Sequence, residues 1–327
     1  MNRQTPFVGY WRTTRAELDI AFLHCIPRFF PNLSETQATA VHGALDHGKR
    51  LRGCLLCLVN DALNGQRQAA LPRALAVECI QAASLIHDDF VDCDTQRRER
   101  PAAWTTYGPR KAVLLGDFMF ATVLQRMTES GRADGLAVAE VIATMASGAW
   151  QEPLEPADVE LALLADPEGG QRLYPRIIHL KTGALFGTAA RLGAISAGGS
   201  QRMADLAHEF GVHLGEAYQI ADDLADLTEL AGREDPGTAL AVLAPAIVHF
   251  CGASALALTG LREGSAAAPE AFLSETLPLL QSRMRKAMHE RVGLAAERAR
   301  QFPDGPFGRL LQTAPSEMVR LILGELP

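Results

Sequence analysis

Lysine is scarce in this chain: only Lys49, Lys111, Lys181 and Lys286 occur among 31 basic residues. Aromatic residues are also few, at 6%. Six cysteines in 327 residues are too few for a disulfide scaffold. Cys54 and Cys57 have metal-pair spacing, but they sit in an apolar run without a second pair and read as reduced core thiols. Positive charge is not in excess. The formal net charge of −7 makes the chain a poor candidate for general nucleic-acid binding. The first residues lack the apolar stretch of a signal peptide, being interrupted by Arg3, Arg12, Arg15 and Glu17. One long run, Thr238 to Leu261, carries no charge, but Pro245, His249 and many small residues dilute it, and no basic cluster flanks it. It reads as a buried helix. No transmembrane segment is expected, and the cytoplasm is the expected location.

The chain has 48% hydrophobic residues, which excludes a disordered polymer and suffices for one large core. Helical periodicity dominates, and no stretch alternates with period two over strand length. The expected helices are Arg15–Phe30, Glu35–Leu63, Leu71–Asp92, Pro109–Glu129, Leu136–Trp150 and Leu173–Ala197. Ser200–Leu227, Thr238–Ala257, Pro269–Gln301 and Pro306–Leu323 follow. The breaks between them, such as Asp166-Pro167-Glu168-Gly169-Gly170, are too short for domain linkers. The reading is all-α, with residues 1–327 forming a single helical bundle whose central helices are apolar nearly all round.

The strongest signal is a repeated acidic pattern. Asp88-Asp89-Phe90-Val91-Asp92 and Asp222-Asp223-Leu224-Ala225-Asp226 both have the form DDxxD. Within each cluster the first and last Asp share one helix face. Each cluster follows an apolar stretch, and carboxylates crowded at the end of a buried helix repel and cost desolvation. A divalent cation relieves both costs. Oxygen-only ligands select Mg²⁺ over zinc, and Mg²⁺ prefers a few carboxylates plus substrate phosphates. A single such cluster reads equally well as a solvated helix end. Two together point to acidic faces opposed across a cavity, with metal and a polyphosphate between them.

A metal–diphosphate site needs cations from the protein as well. Three groups qualify: Lys49 with Arg52 at a helix start, Arg97-Arg98 just past the first acidic cluster, and Lys181 inside an otherwise apolar run. Arginine offers a planar fork to phosphate oxygens and lysine a point charge.

Taken together these residues resemble the all-trans isoprenyl (polyprenyl) diphosphate synthases. The resemblance rests on Gly48-Lys49-Arg50-Leu51-Arg52, Ser84 to Asp92 with Arg97-Arg98, Gly116-Asp117, Lys181-Thr182-Gly183 and Tyr218 to Asp223, in the family's order, over roughly Leu45 to Asp226. The C-terminal helices, residues 238–323, match only in general character. The resemblance implies an isoprenoid synthase-like bundle around a central cavity, usually a homodimer, condensing isopentenyl diphosphate head-to-tail with an allylic diphosphate. It implies three Mg²⁺, with Asp88 and Asp92 bridging two and Asp222 binding the third. It further implies that Arg97, Lys181 and Gln219 contact the allylic diphosphate, that Lys49, Arg52 and Arg98 bind isopentenyl diphosphate, and that Thr182 and Gln219 face the developing cation. Gln81 sits where many long-chain members have His and would hydrogen-bond a diphosphate.

In such enzymes product length follows the depth of the apolar shaft below the first acidic cluster. Ala83 and Ser84 are small where short-chain members place an aromatic floor, with Ile80 a turn deeper and Met119 and Phe120 on the neighbouring helix. A product of C20 or longer is expected, and Ala83→Phe is expected to shorten it. One departure from the family stands out: residues 228–245 contain no lysine where a lysine-bearing lid is usual, and Arg233 is the only cation there. A class I terpene synthase and a non-catalytic partner subunit are the alternative readings. The missing loop lysine favours the first and the retained Lys49, Arg52 and Arg98 speak against it, while two intact acidic clusters speak against the second.

Overall fold

The structure is a computed structural model and describes residues 5–98, 100–153, 156–229, 240, 242–257, 259 and 272–325. Arg233 and the expected helix starts at Thr238 and Pro269 lie outside the described residues. Helix α1 (Pro6–Phe29) begins on a proline, whose fixed φ suits a first turn, and starts well before the expected Arg15. A capping box opens α2 (Glu35–Leu45): the Ser34 hydroxyl accepts from the Gln37 N–H, and Gln37 Oε1 accepts from the Ser34 N–H. The single helix expected from Glu35 to Leu63 is in fact two. His47 and Arg50 take φ of 55° and 54°, and left-handed residues cannot continue a right-handed helix, so α3 (Leu51–Ala62) starts afresh.

Helix α4 (Arg67–Val91) ends at the first acidic cluster. A short antiparallel hairpin, β1 (Gln96–Arg97) and β2 (Arg100–Pro101), leads into α5 (Ala103–Tyr107), α6 (Pro109–Ser130) and α7 (Arg132–Gln151). The stretch expected to hold only a turn forms two helices, α8 (Pro156–Ala165) and α9 (Pro167–Gln171). The expected helix Leu173–Ala197 is interrupted: α10 (Leu173–Ile178) passes through a π-turn at His179–Gly183 before α11 (Ala184–Ser196). Helix α12 (Gln201–Glu229) is the longest. The run expected to be one helix to Ala257 breaks at Gly252, whose φ is 87°, into α13 (Ala244–Cys251) and α14 (Ala253–Ala257). A second π-turn (Phe272–Thr276) leads into α15 (Leu277–Ala299), and α16 (Pro306–Ile322) closes the fold.

The core lies between α3, α4, α11 and α12. Leu55 to Val59 are fully buried, as are Leu185, Phe186, Phe210 and Leu214. Glycines let these helices touch backbone to backbone. A Cβ at Gly193 would stand 2.4 Å from the Leu56 carbonyl oxygen, and one at Gly211 2.4 Å from that of Phe186. This close contact sets the turn ahead of α11 directly against the middle of α12. Helix α15 packs along the other side of α12, sharing a core of Ile220, Leu224, Leu280 and Met284. Among the described residues one helix, Arg67–Val91, is long and apolar enough to cross a membrane by length and composition. With 61% of its apolar window buried and the acidic cluster at its end, it is a core helix.

Candidate active site

The broken helix after Leu45 exists to aim cations. The left-handed Arg50 turns the chain, and its guanidinium is spent internally, with Nε donating to Asp19 Oδ1 at 2.9 Å. The Trp11 indole N–H donates to the Lys49 carbonyl at 2.9 Å, and Glu78 Oε1 accepts the Gly53 N–H at 2.8 Å. Held this way, Lys49 and Arg52 both reach a large cavity. The Arg52 guanidinium lies 4.5 Å from the Phe186 ring centroid, and burial lowers its pKa.

Helix α4 delivers Asp88 to the same cavity, with Asp92 exposed just past the helix end. Asp89 points the other way. It is buried and accepts from Arg97 Nε at 2.6 Å, which ties the hairpin to the helix. Arg98 adopts φ 53° and donates to the Asp46 carbonyl at 3.0 Å, bridging back to the Lys49 loop. Arg97 and Arg98 both line the cavity.

The π-turn brings Lys181 and Thr182 across from α4. Lys181 Nζ is 4.0 Å from Asp88 Oδ1 and is bonded to the Glu152 carboxylate, just past α7. Burial alone would lower the Lys181 pKa, but Glu152 and Asp88 hold it above its ordinary value. Thr182 Oγ1 donates to Gln219 Oε1 at 2.8 Å. Gln219 Nε2 donates to Asp223 Oδ1 at 2.9 Å, and the Tyr174 hydroxyl donates to Asp223 Oδ2 at 2.6 Å. Thr182 thus spends its only proton on Gln219, leaving its lone pairs available to the cavity. Asp223 anchors this chain of bonds and is so enclosed that burial pushes its pKa up to about 7. Asp222, beside it, lines the cavity.

The cavity has a volume of about 490 Å³. Lys49, Arg52, Gln81, Asp88, Arg97, Arg98, Lys181, Thr182, Gln219 and Asp222 line it, whereas Asp92 does not. Its apolar wall includes Phe120, Ile142, Met145 and Ala146, joined by Ser84. Of the three residues expected to set product length, only Ser84 is on that wall. Ala83 is fully buried off the cavity, because one step along a helix turns a side chain by about 100°, and Ile80, one turn from Ser84 on the same face, is fully buried and does not line the cavity. Met119 is likewise buried in the core, whereas Phe120 faces the cavity.

Sequence reasoning missed several residues here. Glu152 holds Lys181, Glu78 lines the cavity and fixes Gly53 beside Arg52, and Tyr174 bonds the Asp223 that anchors Gln219, yet no spacing in the chain links them to those partners. Asp89 and Asp223 were visible inside the acidic motifs, but their anchoring roles depend on burial.

The acidic residues fit a divalent cation that is shared with a ligand. Burial raises the pKa of Asp88 and Asp222, and crowding at the helix end, partial desolvation first and then Glu152 and Asp88, takes that of Asp92 to about 6. These carboxylates carry their charge at a cost that a cation would remove. Among the described residues no three His, Cys, Asp or Glu side chains cluster tightly enough to hold an ion by themselves. Oxygen donors divided between two helices suit a hard ion that completes its shell with phosphate oxygens and water.

Comparison with known proteins agrees with this geometry. A family model described as polyprenyl synthetase matches residues 34–235. The geranylfarnesyl diphosphate synthase of Methanosarcina mazei is 35% identical over 192 residues, which cover 58% of this chain and 62% of that protein. The hexaprenyl pyrophosphate synthase of Saccharolobus solfataricus is 33% identical over 237 residues, covering 71% of this chain and 76% of that one. Several of the other curated relatives are matched over little more than half their length, 52% and 55% in two cases. The crystal structure of a decaprenyl diphosphate synthase from Rhodobacter capsulatus superposes with a TM-score of 0.76 at 26% identity, covering 95% of this chain and 98% of that one.

Proposed function

The chain belongs to the polyprenyl synthetase family, and from that premise we propose that it condenses isopentenyl diphosphate head-to-tail with an allylic diphosphate to give an all-trans product of C20 or longer. The observation that carries this reading is the meeting of Asp88, Asp222, Lys181 and the cations Lys49, Arg52 and Arg98 on one cavity with an apolar inner wall. One set of cations suits the allylic diphosphate and the other a second diphosphate.

Asp88, Asp92 and Asp222 would hold Mg²⁺, three ions in our reading. When bound, the metal neutralises the allylic diphosphate and makes it a better leaving group. Lys181 and Arg97 face the same group and stabilise the charge that grows on it as the C–O bond breaks. Thr182 and Gln219 present oxygen to the allylic carbon as it turns positive. The wall of Phe120, Ile142 and Met145 excludes water, which would otherwise capture that cation. Lys49, Arg52 and Arg98 hold isopentenyl diphosphate so that its double bond attacks the allylic carbon. Gln81 extends the same polar rim. The proton lost afterward goes to the departed diphosphate.

We read the whole chain as one catalytic domain. A homodimer is supported by Leu114, Leu124 and Leu136, which α6 and α7 expose on neighbouring helices. All six cysteines are free thiols, which fits a cytoplasmic location. The test is incubation of the pure protein with Mg²⁺ and an allylic diphosphate, with and without isopentenyl diphosphate. Longer diphosphates formed only with both substrates support the proposal. Hydrocarbon or alcohol from the allylic substrate alone would make it a terpene synthase, and activity only beside a second synthase would make it a partner subunit.

A further inference from the structure

Lys181 and Thr182 sit on a π-turn, a widened turn that lies off the regular helical ladder and needs outside support to hold its shape. One residue on α12 bonds its start and fills the space beside its end. Glu216 Oε1 is 2.9 Å from the His179 ring Nδ1 at the start of the turn. At its end, the Glu216 Cγ would be 3.3 Å from a Cβ placed on Gly183. Glu216 precedes Gln219 by three positions, so the two share a face of α12, and Gln219 holds the middle of the turn through Thr182.

We propose that Glu216 is a positioning residue for the reaction: it clamps both ends of the π-turn against α12 and thereby fixes Lys181 and Thr182 at the allylic diphosphate. The inference rests on the function proposed above and adds a residue that does not touch substrate. Glu216 is suited to the task because its side chain is only 8% exposed and its second oxygen, which accepts no hydrogen bond, faces a cation from another element, 3.0 Å from Arg291 Nε on α15. His213, on α12 itself, stands 3.9 Å from the same oxygen. These neighbours outweigh burial and hold the Glu216 pKa down at about 2, so the clamp is anionic at neutral pH. The same contact raises the pKa of His179.

The test compares E216A, E216Q and R291A with the wild-type protein, by amide hydrogen exchange over residues 179–183 and by steady-state kinetics. In E216A, exchange in the turn rises about tenfold or more. Its kcat/KM for the allylic diphosphate falls by about 10²-fold, because a small misplacement of a catalytic group is costly. Its KM for isopentenyl diphosphate stays within about twofold of wild type, since Lys49, Arg52 and Arg98 lie on other elements. E216Q, which keeps a bond to His179, falls between E216A and wild type. R291A, which removes only the outer ion pair, stays near wild type. The proposal is overturned if R291A matches E216A, since Glu216 would then only fasten α15 to α12. It is also overturned if both substrates lose affinity equally, or if exchange in the turn does not change. A wild-type protein without turnover would sink the proposed function, and the exchange data would still decide the clamp.

Discussion

The ammonium of Lys181 stands 4.0 Å from a carboxylate oxygen of Asp88, joining a π-turn to the end of an apolar helix nearly a hundred positions earlier in the chain. Glu152 holds the same ammonium from the other side. In the proposed reaction an incoming diphosphate with its metal would take Lys181 over from these two acids.

Glu152→Gln is therefore expected to lower the KM for the allylic diphosphate several-fold while leaving that for isopentenyl diphosphate unchanged. Lys181→Ala is expected to lower kcat by about 10²-fold, the usual loss when one preorganised cation or donor is removed from a developing charge. Steady-state kinetics with each substrate varied in turn checks both.

Product length is expected to respond to Ser84 rather than Ala83. Ser84 lines the cavity, and a phenylalanine there fills it, shortening the product by at least one prenyl unit. Ala83 is fully buried away from the cavity, so Ala83→Phe overpacks the core at a cost of about 1–3 kcal/mol and leaves the product distribution of the folded fraction unaltered. Mass spectrometry of the products, with thermal unfolding of both variants, distinguishes the two effects.

That reversal shows where sequence reading stops. The two acidic clusters and Lys181 stood out because charge inside apolar helical runs is costly and has few explanations. Their meeting on one cavity followed the same logic. Ala83 and Ser84 are adjacent in the chain, and only the rotation of α4 tells which one faces the cavity. The π-turn was invisible, since a single widened turn changes the phase of an apolar run that is buried all round anyway. The left-handed turns at His47 and Arg50 were equally hidden, as neither residue type announces such a backbone. Glu152 and Glu216 matter through partners far away in the chain, and a sequence without those contacts assigns them nothing.

Stability is expected to fall in acid through Glu216. Its pKa is lowered from the ordinary 4.5 to about 2. A lowered carboxylate stabilises the fold above its unfolded value and loses that contribution as pH drops through the folded one. The shift corresponds to about 3 kcal/mol at neutral pH, of which about 2 kcal/mol is gone by pH 3. His179 acts with the opposite sign. Its raised pKa stabilises the fold below its ordinary value of 6.5 and ceases to do so as pH rises through the folded one. Urea unfolding at pH 6 and pH 3 is expected to show the gap between wild type and Glu216→Gln narrowing by about 2 kcal/mol at the lower pH.

Metal and diphosphate are expected to bind together or weakly. No cluster among the described residues suffices for an ion alone, so Mg²⁺ by itself raises the melting temperature little, and inorganic pyrophosphate by itself does the same. Both together are expected to raise it by several degrees, as a ligand well above its Kd stabilises by about 3 kcal/mol. A chelator reverses the rise and abolishes turnover.

The most direct measurement is a crystal structure with Mn²⁺ and an allylic thiodiphosphate that cannot ionise, read by anomalous scattering. Metal peaks are expected to bridge the diphosphate to Asp88 and Asp92 on one side and to Asp222 on the other, with the prenyl tail along Ser84 and Phe120. Metal at one acidic cluster only, or a diphosphate seated away from Lys181, would contradict that arrangement.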